Sequence, residues 1–228
     1  MGRAIALAMA RAGGNVAFTY LNSRDDASRT VDEITKIGST AMAVPCDVRD
    51  GKSIATAIQE IQKQFGRIDV LVNNAGFFEM AHFNDITEEQ WDNMFAINVR
   101  GPFLVSRHCV PALQTSHGRI IHLGSLGGEK PWTTHAHYCS SKAALHMLSR
   151  VMAKALAPEI AVNCVAPGMI DQGDGEGNDA MLQKFAESTP MQRNGSPADV
   201  VSAVLYFATA PHFITGQLLT VDGGLSLR

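Results

Sequence analysis

Tyr138 and Lys142 stand four residues apart in the run Tyr138-Cys139-Ser140-Ser141-Lys142. On a helix that spacing puts the phenol and the ammonium on one face, with Cβ atoms about 6 Å apart. A free tyrosine ionises near pH ~10, and a neighbouring cation favours the phenolate, so such a pair is a candidate acid and base. Ser125, in Gly124-Ser125-Leu126-Gly127-Gly128, is a second candidate. It follows an apolar run at 119–123, and the carboxyl end of a buried parallel strand is where open α/β sheets bind their ligands. Two more such runs end in polar groups, one at Asn73-Asn74-Ala75-Gly76 and one at Asp47.

These groups need a parallel sheet to position them, and the pattern of the chain predicts one. Short β-type runs at 15–20, 40–44, 68–73, 119–123, 161–165 and 217–221 alternate with helical stretches at 3–12, 25–37, 52–65, 137–157 and 197–209. Thr87-Glu88-Glu89-Gln90 has capping-box spacing and opens a long helix, expected to bend near Gly101-Pro102. Ser196 is read as an N-cap followed by Pro197 at the first helical position. No repeat or linker divides the chain, so residues 1–228 read as one domain. Within it, residues 169–190 combine a glycine-rich acidic stretch at 171–179 with an apolar helical piece at 180–186, which suits a lid over substrate. The carboxylates at 171–179 do not fall at the alternating positions of a calcium loop, and this stretch reads as a flexible surface loop.

Composition narrows the partners. The 228 residues are 46% hydrophobic and 18% charged, a globular balance with enough length for a large core. The net charge of −3 comes without any basic run. That removes the attraction behind most non-specific binding to nucleic acid or anionic membranes. No apolar stretch reaches the ~18 residues of a membrane span, so a cytoplasmic protein is expected. Cys46, Cys109, Cys139 and Cys164 are too widely spaced for a zinc site and suggest no disulfide framework. His135-Ala136-His137 has no third ligand nearby, so no metal is expected.

The ordered set Asn73-Asn74-Ala75-Gly76, Asn98 in Asn98-Val99-Arg100-Gly101, Ser125, Tyr138 with Lys142, Pro167-Gly168 and Val221-Asp222-Gly223-Gly224 resembles the short-chain dehydrogenases/reductases over essentially the whole chain. Ser125 lies 13 residues before Tyr138, a separation common in that family. The resemblance implies a single Rossmann-type doubly wound parallel sheet with helices on both faces. It also implies a catalytic tetrad of Asn98, Ser125, Tyr138 and Lys142. Tyr138 would donate a proton to a carbonyl oxygen, or act as base in alcohol oxidation, its pKa drawn toward neutrality by Lys142 and the oxidised nicotinamide. Ser125 would hydrogen-bond the same oxygen. Lys142 would also hold the nicotinamide ribose, and Asn98 would support a water leading protons from Lys142 to solvent. Hydride chemistry belongs to the nicotinamide itself.

Cofactor contacts are implied for Gly2, Asn74, Ala75, Gly76, Pro167, Gly168 and Ile170, with Asp47 and Val48 flanking the adenine. Tyr20 ends its strand where an acidic residue would accept from the adenosine ribose hydroxyls. Followed by Leu21-Asn22-Ser23-Arg24, it resembles NADP-preferring members, so NADP(H) is expected over NAD(H), with Tyr20, Asn22, Ser23 and Arg24 around the ribose. The implied activity is reduction of a small-molecule carbonyl, or oxidation of a secondary alcohol, by a homodimer or homotetramer. The 3-oxoacyl-carrier-protein reductases are the nearest well-known activity. The run 137–142 and the stretch 156–163 also look like pteridine-reductase-type members, which act on a ring imine. A catalytically impaired relative serving as a binding or assembly partner is the remaining reading.

Three departures from the family pattern stand out. Gln172 takes a position often held by a threonine that contacts the carboxamide. His122 stands in a strand where Asn or Ser is usual, and it reads as a buried, hydrogen-bonded histidine. Family members also open with a strand and a T-G-x-x-x-G-x-G turn, whereas here Gly2 matches only the third glycine. That strand lies between the runs 15–20 and 68–73 in the family's sheet, so two inner edges are expected to be unpaired. The expectation is therefore a natural product that begins roughly ten to fifteen residues upstream, enough for a strand and its turn, with the competence of the chain as written in question.

Overall fold

Strand β4 (Arg119–Leu123) shows how the layers arise. Ile120 and Ile121 are adjacent, fully buried and, because side chains alternate along a strand, directed to opposite faces. In the computed structural model, which describes residues 1–173 and 179–228, Ile120 packs with Ile54 and Ile58 of α3 (Gly51–Phe65) and Leu113 of α5 (Gly101–Ser116). Ile121 packs with Ile5 of α1 (Gly2–Arg11) and with Val200, Val204 and Phe207 of α8 (Pro197–Thr209). A strand covered on both faces reads as a continuous apolar run, which is why the sequence announced it. The architecture is α/β, with parallel strands between two helical layers.

The strands form two ladders. β3 (Val70–Asn73), β4, β5 (Ala161–Pro167) and β6 (Leu218–Val221) lie side by side in that order, all parallel. Among the described residues β1 (Val16–Tyr20) and β2 (Ala41–Pro45) pair only with each other. Among the described residues no ladder joins β1 to β3, so the two inner edges expected to be unpaired do not pair with one another. β3 starts at Val70 rather than at residue 68 because the Ile68 carbonyl accepts from Ser116 Oγ at 2.6 Å, outside the ladder.

Helix ends follow local chemistry. Thr87 caps α4 (Glu88–Phe95) with both halves of the capping box, Gln90 N–H to Thr87 Oγ1 at 3.1 Å and Thr87 N–H to Gln90 Oε1 at 3.0 Å. Ahead of α8, the Ser196 N–H and Oγ both donate to Asp199 Oδ2, at 2.7 and 2.8 Å, and the Asp199 N–H donates to the Ser196 carbonyl at 3.1 Å. Each cap stabilises its helix by about 1 kcal/mol. The expected bend at Gly101-Pro102 falls slightly earlier, as a π-helical turn at Ala96–Arg100. Pro102 has no N–H to offer the carbonyl four residues before it, which is that of Asn98, so the helix widens just ahead of the proline. Gly101 lets this segment graze the backbone of Val48, where a Cβ would sit 3.1 Å from the Val48 carbonyl.

The remaining helices are α2 (Arg24–Ile37), α6 (Ala136–Leu156) and α7 (Asp179–Ser188). Of the expected loop at 171–179 and lid at 169–190, residues 174–178 lie outside the described residues. Among the described residues no helix is long and apolar enough to cross a membrane.

Candidate active site

Helix α6 carries Tyr138, Lys142 and His146 at successive four-residue steps, so the three share one face. That face meets the carboxyl end of β4. Lys142 is 5% exposed, and its Nζ donates to the Leu123 carbonyl at 2.9 Å. The ammonium lies 5.8 Å from the centroid of the Tyr138 ring. Burial pushes the Lys142 pKa down to about 8. The Tyr138 phenol moves the opposite way, raised mainly by burial, with the Ser125 hydroxyl beside it pulling it down and Cys139 adding a small push upward. The expected drop toward neutrality is therefore not a property of the Tyr138 and Lys142 side chains alone. Burial sets the direction in the free protein, and an added positive charge beside the phenol would act against it.

Ser125 sits in the turn after β4, with its Oγ accepting from the Gly127 N–H at 3.1 Å. Its own N–H donates to His146 Nε2 at 3.3 Å. Sequence reading missed His146. The ring is buried, and a Cβ at Gly124 or Gly128 would collide with it, so the two glycines make its seat. Burial, with Lys142 adding to it and Glu129 opposing, lowers the His146 pKa to about 4. A neutral imidazole accepting at Nε2 carries its proton on Nδ1. The signal available in the sequence was a histidine four residues beyond Lys142, facing a glycine-rich turn.

Asn98 reaches the site from the π-helical turn and is fully buried. Its Oδ1 accepts from the Phe77 N–H at 2.8 Å, and its Nδ2 donates to the Phe77 carbonyl at 2.9 Å and to Ser141 Oγ at 3.0 Å. The amide thus clamps the loop after β3 to α6, and one lone pair of Oδ1 is left for a water. Gly76 lies against this clamp, where a Cβ would stand 3.5 Å from both Asn98 Oδ1 and Lys142 Nζ. His122 is buried as expected, with its Nδ1 3.3 Å from Asn73 Nδ2.

The other expected positions surround this cluster. Gly2 opens α1 against Asn74, where a Cβ would come 2.9 Å from the Asn74 amide nitrogen. Ala75 is exposed beside it. Asp47 is held by Arg49 through Nε at 3.0 Å and Nη2 at 2.7 Å, which lowers its pKa. Val48 packs under Gly101. Tyr20, at the end of β1, is half-buried, and Asn22, Ser23 and Arg24 are exposed at the start of α2. Pro167 ends β5, Gly168 donates its N–H to the Val221 carbonyl at 2.9 Å, and Ile170 bridges to Gly195. Gln172 is exposed and accepts from the Met1 amine at 3.0 Å, so its amide is turned to α1. His135 and His137 lie at the start of α6 rather than on a strand.

Comparison with known proteins covers nearly all of the chain. Residues 1–226 match the family model described as enoyl-(acyl carrier protein) reductase. A 3-oxoacyl-[acyl-carrier-protein] reductase, FabG, of Staphylococcus epidermidis is 35% identical over 230 residues, covering 99% of this chain and 94% of the relative. Among solved structures, a 7α-hydroxysteroid dehydrogenase complexed with NADH and 7-oxo glycochenodeoxycholic acid is similar with a TM-score of 0.92 and 32% identity, over 98% of this chain and 89% of that one. A gluconate 5-dehydrogenase from Burkholderia cenocepacia in complex with NADP and tartrate is similar with a TM-score of 0.92 and 28% identity, over 100% of this chain and 91% of that one.

Proposed function

The chain belongs to the short-chain dehydrogenase/reductase family and is an oxidoreductase of that type, and on that premise we propose that it reduces a small-molecule carbonyl with NADP(H), using Tyr138 as proton donor. The observation that carries this reading is the convergence of Tyr138, Ser125, Lys142, Asn98 and Gly76 at the carboxyl ends of β3 and β4.

The residues present fit a nicotinamide dinucleotide. Lys142 is a buried ammonium that donates to the Leu123 carbonyl, which leaves two N–H groups for ribose hydroxyls. Gly76 keeps the space in front of them clear. The first turn of α1, at Gly2, offers backbone N–H groups to a pyrophosphate, and Asn74 lies against it. When bound, the cofactor supplies the hydride chemistry. The chain's own residues manage the proton and the orientation. Tyr138 stays protonated at neutral pH and gives its Oη proton to the substrate oxygen. The Ser125 hydroxyl, anchored by the Gly127 N–H and by His146, donates to that same oxygen and then to the phenolate. Asn98 holds Phe77 and Ser141 so that α6 and the β3 loop keep their spacing, and it supports the water that resupplies the proton.

NADP(H) is preferred over NAD(H) in this reading because Tyr20 presents no carboxylate at the end of β1, while Arg24 is exposed and is in no ion pair among the described residues. Asp25 and Asp26 work against a phosphate there, although Asp26 is paired with Arg29. We read the enzyme as cytoplasmic and, since Phe103 of α5 and Met147 and Val151 of α6 present apolar surface to solvent, as a homo-oligomer. We read residues 169–190 as the substrate lid, its carboxyl end seated where Thr189 and Pro190 pack on Gly223 and Gly224. The test is a fluorescence titration with NADPH and NADH followed by a screen of carbonyl compounds. Cofactor binding with turnover of a ketone is expected, and binding without turnover of any carbonyl or imine would leave a non-catalytic relative.

A further inference from the structure

The approach to the Tyr138 phenol is walled by aromatic rings from two separate loops. Phe78 meets the Tyr138 ring edge to face, with centroids 4.8 Å apart at 87°, and stacks on His135 at 4.8 Å and 24°. Trp132 runs parallel to Tyr138 at 6.0 Å and 11°, and crosses His135 at 5.5 Å and 82°. The two loops are tied by the Ala81 N–H, which donates to the Thr134 carbonyl at 2.9 Å, so Phe78 and His135 are held in one block. Gly127 makes the floor, where a Cβ would stand 3.2 Å from the Trp132 ring and 3.3 Å from the Tyr138 ring. Phe78 is 58% exposed, although a phenylalanine gains by burial, and it stands beside the phenol.

The charges near this wall are committed elsewhere. Glu79 faces Gln90 at 3.1 Å and His137 at 3.7 Å, and Lys130 donates to the backbone carbonyls of Leu225 and Arg228. Burial and the neighbouring His137 hold His135 toward its neutral form. A wall of aliphatic side chains would serve any apolar ketone equally. Faces and edges set perpendicular to one another instead favour a flat conjugated ring, whose quadrupole complements theirs.

We propose that the substrate is a planar, aromatic-ring ketone, and that Phe78, Trp132 and His135 select it by stacking on the ring next to the carbonyl. This rests on the carbonyl-reductase reading above and narrows it. The experiment compares 2-tetralone with 2-decalone, which share a bicyclic skeleton and an unconjugated carbonyl but differ in planarity, using the full chain with saturating NADPH or NADH. The expected kcat/KM ratio is about tenfold in favour of 2-tetralone, from one or two added ring pairs. Phe78→Leu and Trp132→Leu should each bring that ratio toward unity. In parallel, calorimetry of the cofactor-loaded protein should give 2-naphthol a Kd about tenfold below that of decahydro-2-naphthol. Equal kcat/KM for the two ketones, or a ratio untouched by both substitutions, would overturn the aromatic wall while leaving the reductase reading intact. If neither ketone reacts, the reductase reading loses its support for this substrate class and the calorimetry decides the wall alone: a Kd preference for 2-naphthol sustains it, and equal or no binding overturns it.

Discussion

The backbone N–H of Ser125 donates to Nε2 of His146 at 3.3 Å, joining the turn after β4 to the helix that carries Tyr138 and Lys142. His146 touches no reacting atom and acts as a positioning residue for the Ser125 hydroxyl. Replacing it by Ala removes the acceptor and leaves a cavity beside Gly124 and Gly128. We expect kcat to fall by about tenfold, the equivalent of one hydrogen bond, with KM for the nicotinamide cofactor little changed. His146→Gln, which can still accept, should restore most of the rate. A loss that is equal in both variants and confined to thermal stability would mean that His146 only fills space.

Acid should unfold this protein through two histidines. His122 and His146 are both buried and both lowered from 6.5 to about 4, so the folded state favours their neutral forms. Above pH 6.5 neither state takes up a proton at these groups, and their full contribution is present. Between about 6.5 and 4 the unfolded chain binds protons that the folded chain refuses, so stability falls with decreasing pH by about 1.4 kcal/mol per unit for each histidine. Denaturant midpoints measured from pH 7 to pH 4 check this. A flat profile would show that both rings take up protons as readily in the native state as in the unfolded chain, and half the slope that only one of them does.

Tyr138→Phe keeps the ring among Phe78, Trp132 and His135 but removes the proton. Turnover should drop by at least ~10² with the fold retained. Since burial raises the phenol in the free protein, ultraviolet titration should find Tyr138 ionising above pH ~10 without cofactor and lower once an oxidised nicotinamide is bound. Near-normal turnover by the variant would remove Tyr138 from the mechanism.

Tyr20→Asp places a carboxylate at the end of β1, next to Asn22, Ser23 and Arg24. It should accept from ribose hydroxyls and repel a 2′-phosphate, turning the NADPH over NADH preference around. Comparing kcat/KM for the two cofactors in both proteins reads this directly. An unchanged ratio would move the ribose site away from β1.

The inner edges of the two ladders should be visible to hydrogen exchange. The Val16 N–H donates to the Thr40 carbonyl at 2.9 Å, and in a parallel ladder alternate residues face the same neighbour, so the Ala17 and Thr19 amides turn away from β2. Likewise the Arg119 N–H donates to the Asp69 carbonyl at 2.9 Å, which turns the Val70 and Val72 amides away from β4. These four amides should exchange much faster than Ile121, which lies between two paired strands. Equal protection would mean that a ladder joins the two sheets in solution.

What was legible in the sequence is whatever operates over a few residues. The apolar run ending at Leu123, the capping box at Thr87, the N-cap at Ser196 and the shared face of Tyr138 and Lys142 depend on periodicity or on a neighbour three or four residues away, and the fold realises each of them. The bend ahead of Pro102 was legible in kind, and only its placement at Asn98 was not. The rest was decided by groups far apart in the chain. Lys142 is aimed by a carbonyl 19 residues back, Ser125 is held by a ring 21 residues on, and Asn98 meets Phe77 and Ser141 across 21 and 43 residues. The aromatic block likewise exists only because the β3 loop bonds to Thr134. Such pairings leave no periodic trace, because a hydrogen bond between distant segments costs no local pattern and forms only after the layers on either side of β4 have packed.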